Sequence, residues 1–106
     1  MKRNSLLQTL GLARRAGSVV VGTDAARTAV REGRAKMVLL AADAAVGQSG
    51  KLRPLLEHRG VPYRVWGMRD ELGGAIGATQ ASALAVTEAS FAEQVLRRLD
   101  DLEGRQ

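Results

Sequence analysis

The six residues MVLLAA at positions 37–42 form a continuous apolar run near the middle of the chain. A half-exposed strand alternates apolar and polar residues, whereas a strand that is covered on both faces is apolar throughout. Helical patterns precede and follow this run, so helices are available to cover both faces. The run therefore predicts a central strand in an α/β sheet.

Two helices and a short strand are predicted before this central strand. The first helix is expected over residues 4–17, because its apolar residues recur at helical spacing and a glycine stands at its end. Residues 18–21 are rich in valine and predict a strand. The second helix is expected to begin with Gly22 or Thr23 as its cap and to end at Gly33.

A third helix and a third strand are predicted after the central strand. Residues 43–50 are mostly small and predict a loop, after which a helix with Pro54 in its first turn ends at Gly60. Residues 61–65 alternate and carry a proline near their start, which predicts a strand at or near a sheet edge.

The last part of the chain predicts two helices around a fourth strand. A short helix is expected over residues 70–76, a loop of small polar residues over 77–82 and a strand over 83–87. The spacing of the later apolar residues predicts an amphipathic helix that is capped by Ser90 or Thr87.

This order of elements predicts an α/β fold. Helices on both faces of a sheet form a three-layer α/β/α sandwich, here with a four-stranded mixed sheet and about five helices. A chain of 106 residues has the length of one domain. We therefore expect residues 1–106 to form a single domain.

Positive charge is concentrated in the first third of the chain. Residues 1–36 contain eight basic and two acidic residues, a net charge of +6, whereas the remainder contains eight basic and nine acidic residues, a net charge of −1. Attraction to phosphates depends on such local clusters. Arg27 and Arg31 stand one turn apart on the second predicted helix. The pattern predicts a polyanionic partner bound by the first half, with ordinary exposed charge as the alternative interpretation.

Side chains that suit catalysis are sparse. The chain has no cysteine, and its one histidine, His58, stands between Glu57 and Arg59, which indicates a solvated residue. No His, Asp or Glu group has the spacing of metal ligands. The GQSGK stretch at residues 47–51 lacks the spacing of a phosphate-binding loop, and it follows a strand, unlike the GXXG of a KH domain. We expect no catalysis, no cofactor and no metal.

The distribution of apolar residues predicts a cytoplasmic protein. No apolar run approaches the roughly 20 residues that cross a bilayer. Residues 1–8 become polar too early for a signal peptide. We expect a monomer that contacts no membrane.

Six short motifs follow one another along the chain. They are GLARRAG at 11–17, GTDAARTAV at 22–30, AKMVLLAADA at 35–44, GVPY at 60–63, ELG at 71–73 and AIG at 75–77. In this order and spacing they resemble the L7Ae/L30e family of ribosomal and kink-turn RNA-binding proteins, especially its small bacterial members. The resemblance covers residues 10–86 and implies the same α/β/α sandwich.

The resemblance also implies a binding site for a kink-turn or a similarly bent RNA. It places the site at the start of the second helix, in the loop after the second strand and in the loop before the fourth strand. A helix N-terminus offers free N–H groups to phosphate, and small loop residues leave room for an extruded base. The predicted contacts are Gly22, Thr23, Asp24, Ala25, Arg27, Thr28, Arg31, Asp43, Ala78, Thr79, Gln80, Ala81 and Ser82.

Three of these positions depart from the family's archaeal members. Those proteins read sheared G·A pairs with Asn-Glu and a later Lys, and the matching residues here are Asp24, Ala25 and Thr28. Thr23 and Asp24 also have a simpler interpretation, as helix caps.

The function expected from the sequence is RNA binding in translation. The protein would form a ribonucleoprotein, and ribosomal RNA and ribosomal proteins are its candidate partners. Two alternatives remain open, a protein-interaction module on the same fold and a detached substrate-binding module of an RNA-modifying enzyme.

Overall fold

A computed structural model describes residues 2–44 and 46–104. This part of the chain forms five helices and one four-stranded sheet. The helices are α1 (Lys2–Arg15), α2 (Thr23–Arg31), α3 (Val46–Arg59), α4 (Arg69–Ala75) and α5 (Ala89–Leu102), and the strands are β1 (Val19–Val21), β2 (Met37–Leu40), β3 (Tyr63–Val65) and β4 (Ala83–Val86).

The sheet has the strand order β1-β4-β2-β3. Strand β2 is parallel to β3, and β4 is antiparallel to both β1 and β2. Strands β1, β2 and β3 therefore run in one direction and finish at the same end of the sheet, where β4 begins. We call this end of the sheet the carboxyl edge and the opposite end the amino edge. The mixed sheet confirms its prediction, and so does the position of β3 as an outermost strand.

The central strand is buried on both faces, as its unbroken apolar sequence predicts. Met37 and Leu39 pack with α1, α4 and α5, whereas Val38 and Leu40 pack with α2 and α3. All four side chains are buried. Because successive side chains of a strand point to opposite faces, β2 contributes to both cores of a three-layer α/β/α sandwich. This confirms the predicted fold class.

The layer of α2 and α3 meets the sheet through small side chains. Ala26 and Ala29 of α2 and Ala83 and Ala85 of β4 are fully buried in this core. Alanines leave little distance between a helix and the sheet beneath it. The start of α2 is therefore held close to the carboxyl edge, where β4 begins.

Helix α3 differs from its prediction. It begins at Val46, so residues 46–50 are helical rather than part of a loop, and Pro54 is inside the helix rather than in its first turn. Ala45 of the predicted loop lies outside the described residues. The glycines in this stretch favoured the loop prediction. Burial of Leu52 and Leu56 against the sheet stabilises the helix instead, because packing outweighs local propensity.

Two other helix starts also differ. Helix α1 begins at Lys2, two residues before the predicted start. Helix α5 has Glu88 as its cap, and the Ser90 hydroxyl donates to the Glu88 carboxylate at 2.7 Å rather than to the backbone. Neither Ser90 nor Thr87 is therefore the cap that the sequence predicts.

A cluster of three side chains joins α1 to α4. The Arg3 guanidinium lies over the Trp66 ring, 4.5 Å from its centroid, and also donates to the Glu71 carboxylate. Glu71 accepts a further hydrogen bond from the Met68 N–H at 3.1 Å. The Arg3 side chain is the main cause that lowers the pKa of Glu71. This cluster anchors the start of α4 beside the carboxyl edge.

No helix within residues 2–44 and 46–104 combines the length and the apolar composition that a membrane span needs.

Candidate nucleic-acid interface

An open cleft of about 720 Å³ lies at the carboxyl edge of the sheet. The ends of parallel strands are the usual binding position in open α/β sheets, because the connections diverge there. The cleft is lined by Val21, Gly22, Thr23, Asp24, Ala25, Arg27, Gly47, Lys51, Arg69, Gln80, Ala81 and Ser82.

The first wall of the cleft is the start of α2. Gly22 is the cap residue at φ 102°, a conformation that favours glycine, and its N–H donates to the Ala83 carbonyl at 2.8 Å. No side chain caps the helix, so its first-turn N–H groups keep their capacity to bind an anion. Thr23 and Asp24 lie within the helix, and the interpretation of these two residues as caps is wrong.

Arg27 is the cation of this wall. Its guanidinium forms an ion pair with Asp24 at 3.1 Å, and its side chain is 27% exposed, against 96% for Asp24. The Arg27 Nε is buried without a hydrogen-bond partner in the described residues. The guanidinium is thus held at the cleft by packing as well as by a surface ion pair.

Arg69 lines a second wall and is held there by Asp43. The Asp43 carboxylate accepts the Arg69 backbone N–H at 2.8 Å, and its other oxygen lies 3.5 Å from the Arg69 Nε. The backbone hydrogen bond is the main cause that lowers the pKa of Asp43. Asp43 lies outside the cleft lining and orients a residue that lines it.

The loop of residues 78–82 forms a third wall. Its backbone packs directly on α4, where a Cβ at Gly73 would lie 2.7 Å from backbone atoms of Thr79 and Gln80. The Gln80 side-chain amide donates to Asp70 at 3.2 Å, and the Ala81 N–H donates to the Arg69 carbonyl at 3.0 Å. Because Gly73 has no side chain, the loop can lie close to α4 and therefore close to Arg69.

The cleft unites most of the predicted contacts. Ala78 and Thr79 are exposed beside it, and Thr28 and Arg31 lie on later turns of α2. The predicted residues in its lining are Gly22, Thr23, Asp24, Ala25, Arg27, Gln80, Ala81 and Ser82.

Lys51 and Arg69 are lining residues that the sequence patterns did not predict, together with Val21 and Gly47. Arg69 follows β3, and parallel neighbours such as β2 and β3 end at the same edge, so strand order was the missing signal. Lys51 belongs to the GQSGK stretch, which is no phosphate loop but places a lysine on α3 beside the cleft.

The cleft is positively charged. Arg27, Lys51 and Arg69 line it, with Asp24 as the one carboxylate in the described lining. Arg27 alone comes from the basic first third of the chain. The charge asymmetry of the sequence therefore does not map onto the cleft.

The polar groups of the cleft suit the binding of phosphate. Backbone N–H groups and three cations are available to phosphate oxygens, and small loop residues leave space beside them. His58 is exposed in the last turn of α3, as predicted for a solvated residue. Among the described residues no group of three or more His, Cys, Asp or Glu side chains is placed to hold a metal.

Comparisons with known proteins connect this architecture to one family. The model of the ribosomal protein L7Ae/L30e/S12e/Gadd45 family matches residues 4–96. The RNA-binding protein YlxQ of Bacillus subtilis (strain 168) is 38% identical over 91 residues, which cover 86% of this chain and 91% of YlxQ. The large ribosomal subunit protein eL8 of Cenarchaeum symbiosum (strain A) is 29% identical over 88% of this chain and 75% of its own length.

Solved structures share the fold. A protein of unknown function from Bacillus halodurans C superimposes with a TM-score of 0.87 at 32% identity, over 90% of this chain and 96% of its own. The Giardia lamblia 15.5kD RNA binding protein superimposes with a TM-score of 0.81 over 97% of this chain and 88% of its own. At 23% identity the second likeness shows the fold alone.

Proposed function

Because the chain belongs to the ribosomal protein L7Ae/L30e/S12e/Gadd45 family, we propose that it binds structured RNA in the carboxyl-edge cleft. One observation carries the proposal. Arg27, Lys51 and Arg69 line the same open cleft as the start of α2, which no side chain caps. Cations and backbone N–H groups together bind phosphate oxygens and fix the position of an RNA strand.

A bent RNA of the kink-turn kind is the ligand that the resemblance to the family suggests for this cleft. The lining comes from several elements, so the two arms of a bent RNA can contact different walls. The small side chains of Ala81 and Ser82 leave room for a base that leaves the stack at such a bend. Contacts of Thr28, Ala78 and Thr79 with the flanks of the RNA complete the proposed interface.

Recognition in this proposal depends on shape and phosphate more than on base edges. Asp24, Ala25 and Thr28 replace the Asn, Glu and Lys that read sheared G·A pairs in archaeal members. Asp24 is engaged with Arg27, and Ala25 offers no side-chain hydrogen bond. The protein would thus tolerate changes of sequence that preserve the bend.

The first test compares affinities for a kink-turn RNA and for a straight duplex of the same composition by fluorescence anisotropy. We expect the bent RNA to bind more tightly. The triple variant Arg27→Gln, Lys51→Gln, Arg69→Gln should lose about 30-fold in affinity for it, since three charge-assisted phosphate contacts are removed.

A charge-matched control makes this test specific. Lys2→Gln, Arg15→Gln and Arg97→Gln change the net charge equally at exposed cations outside the cleft. This control should bind within about twofold of the wild type, because exposed charges beyond a Debye length are screened. Equal losses in both triple variants would refute the cleft as the binding site.

We also propose that the protein acts in translation, with ribosomal RNA as a candidate ligand and ribosomal proteins as candidate neighbours. The name of one relative, the large ribosomal subunit protein eL8, supports this proposal. Cell extracts fractionated on a sucrose gradient should contain the protein with ribosomal particles, in a manner sensitive to ribonuclease. Recovery of the protein only in the light fractions that contain free monomer would contradict the proposal.

A further inference from the structure

The amino edge of the molecule carries cations that the cleft does not use. Helix α3 ends at Arg59, whose guanidinium donates to the Arg31 carbonyl at the end of α2, at 3.3 Å. Lys36 stands just before β2, and its N–H donates to the Val86 carbonyl at 2.8 Å. We call Lys36 and Arg59 the amino-edge pair.

The amino-edge pair lies beside the end of α2. The backbone just before Lys36 is held there, because the Ala35 N–H donates to the Ala29 carbonyl at 3.2 Å and Ala35 packs in the same core as α2 and α3. The hydrogen bond from Arg59 to the Arg31 carbonyl fixes the second cation at the end of α2. Both cations thus flank the end of α2 that is opposite the cleft.

Neither cation of the pair is engaged in an ion pair within the described residues, and both side chains are exposed. Glu32 is paired with Arg34 at 2.8 Å. Glu57 keeps its charge, but its carboxylate accepts a hydrogen bond from the Tyr63 hydroxyl at 2.8 Å rather than one from Arg59.

A line of cations connects the cleft with this pair. Arg27 lines the cleft, and Arg31 lies one helical turn further along the same side of α2, about 6 Å away. The nine residues of α2 span about 13 Å, so the cations recur along the helix from the carboxyl edge to the amino edge. A nucleic-acid duplex carries phosphates continuously along its length and fits such a line.

We propose that the RNA in the cleft continues as a duplex stem along α2, and that Lys36 and Arg59 bind the phosphates of that stem at the amino edge. The inference rests on the proposed function, and it adds a requirement for a flanking stem of sufficient length. The contacts go to the RNA backbone, so they are independent of the stem sequence.

The test uses bent RNAs that share one core and differ in one flanking stem, of about three or about nine base pairs, with each of the two stems varied in turn. When one of the two stems is varied, the wild type should bind the RNA with the long version of that stem about fivefold more tightly than the RNA with the short version. The double variant Lys36→Gln, Arg59→Gln should lose this gain and keep its affinity for the short-stem RNA, because only the long stem reaches the amino edge.

A matched variant and a second substitution complete the design. Arg15→Gln with Arg97→Gln removes the same charge from α1 and α5 and should keep the fivefold gain. Lys36→Glu alone should reduce the gain if the double variant proves unstable, since the Lys36 side chain is exposed and its structural hydrogen bond comes from the backbone.

The outcomes separate the inference from the proposed function. A gain that survives in the double variant would overturn the inference while RNA binding in the cleft stands. Binding of a second, free duplex at the amino edge of the RNA complex would also overturn it. Absence of binding to every RNA would refute the proposed function itself.

Discussion

Two aspartates beside the cleft have the same charge but act differently on their arginines. Asp24 is almost fully exposed and holds Arg27 through a single ion pair on the helix surface. Asp43 accepts the backbone N–H of Arg69 and also lies beside its guanidinium, so it fixes the residue at two points. One aspartate therefore competes with a phosphate for its arginine, whereas the other presents its arginine to the ligand.

The two aspartates should accordingly give opposite results on substitution. Asp24→Ala should strengthen RNA binding about twofold, because it frees Arg27 and removes a negative charge from the cleft. Asp43→Ala should weaken binding about fivefold although it also removes a negative charge, because Arg69 loses its orientation. Anisotropy titrations of both variants at one salt concentration measure this. Tighter binding by Asp43→Ala would show that charge outweighs orientation.

The lowered pKa of Asp43 sets the pH range of this interaction. A carboxyl group whose folded-state pKa is depressed stabilises the folded state above its ordinary pKa, and that contribution is lost as the pH falls through the depressed value. The hold of Asp43 on Arg69 is therefore complete at neutral pH. It weakens only in strongly acidic solution.

At the scale of elements, α4 shows how a glycine can position a binding loop. Gly73 faces the loop of residues 78–82, whereas a Cβ at the neighbouring Gly74 would meet no described atom within 4 Å beyond the backbone of its own helix. The two glycines occupy one helix but only one of them permits a close approach. Their substitution separates loop packing from helix propensity.

Gly73→Ala should destabilise the protein by about 1–3 kcal/mol, because its Cβ would meet rigid backbone and displace the loop. Gly74→Ala should stabilise it by about 0.5–1 kcal/mol, because alanine loses less entropy in a helix. Urea denaturation of both variants measures the changes. RNA affinity should fall only in Gly73→Ala, and an equal gain of stability in both would contradict the close approach.

At the scale of the whole molecule, the distribution of cations matters more than the net charge of +5. The cations of the cleft, of α2 and of the amino-edge pair form the proposed RNA-binding surface. This surface does not include Arg3 and Arg34, which are paired with Glu71 and Glu32. The salt dependence of RNA binding should therefore count the cations of this surface and not all basic residues.

This count is measurable from the slope of the logarithm of affinity against the logarithm of salt concentration. Each phosphate contact contributes roughly −0.7 to −0.9 to that slope. The cleft triple variant should reduce its magnitude by about 2 to 3, and the charge-matched control should leave it unchanged. Identical slopes in wild type and cleft variant would show that these side chains do not contact phosphates.

Local patterns predicted most of the fold, because they report the environment of each residue. The run at residues 37–42 indicated burial on both faces, and Met37 and Val38 do face opposite cores, whereas the strand ends at Leu40 and Ala42 is exposed. Residues 47–50 show where such patterns fail. Their glycines favour a loop, and the helix there depends on Leu52 and Leu56, which pack on strands distant in the chain.

The sequence by itself determined the layers of this protein and two walls of its candidate site, the start of α2 and the loop of residues 78–82, since periodicity and short motifs are properties of neighbouring residues. Only the tertiary structure decided that Arg27, Lys51 and Arg69 share a cleft. They stand on three elements, and they meet because β1, β2 and β3 end at one edge of the sheet. Strand order arises from the packing of the whole chain, and no local pattern encodes it.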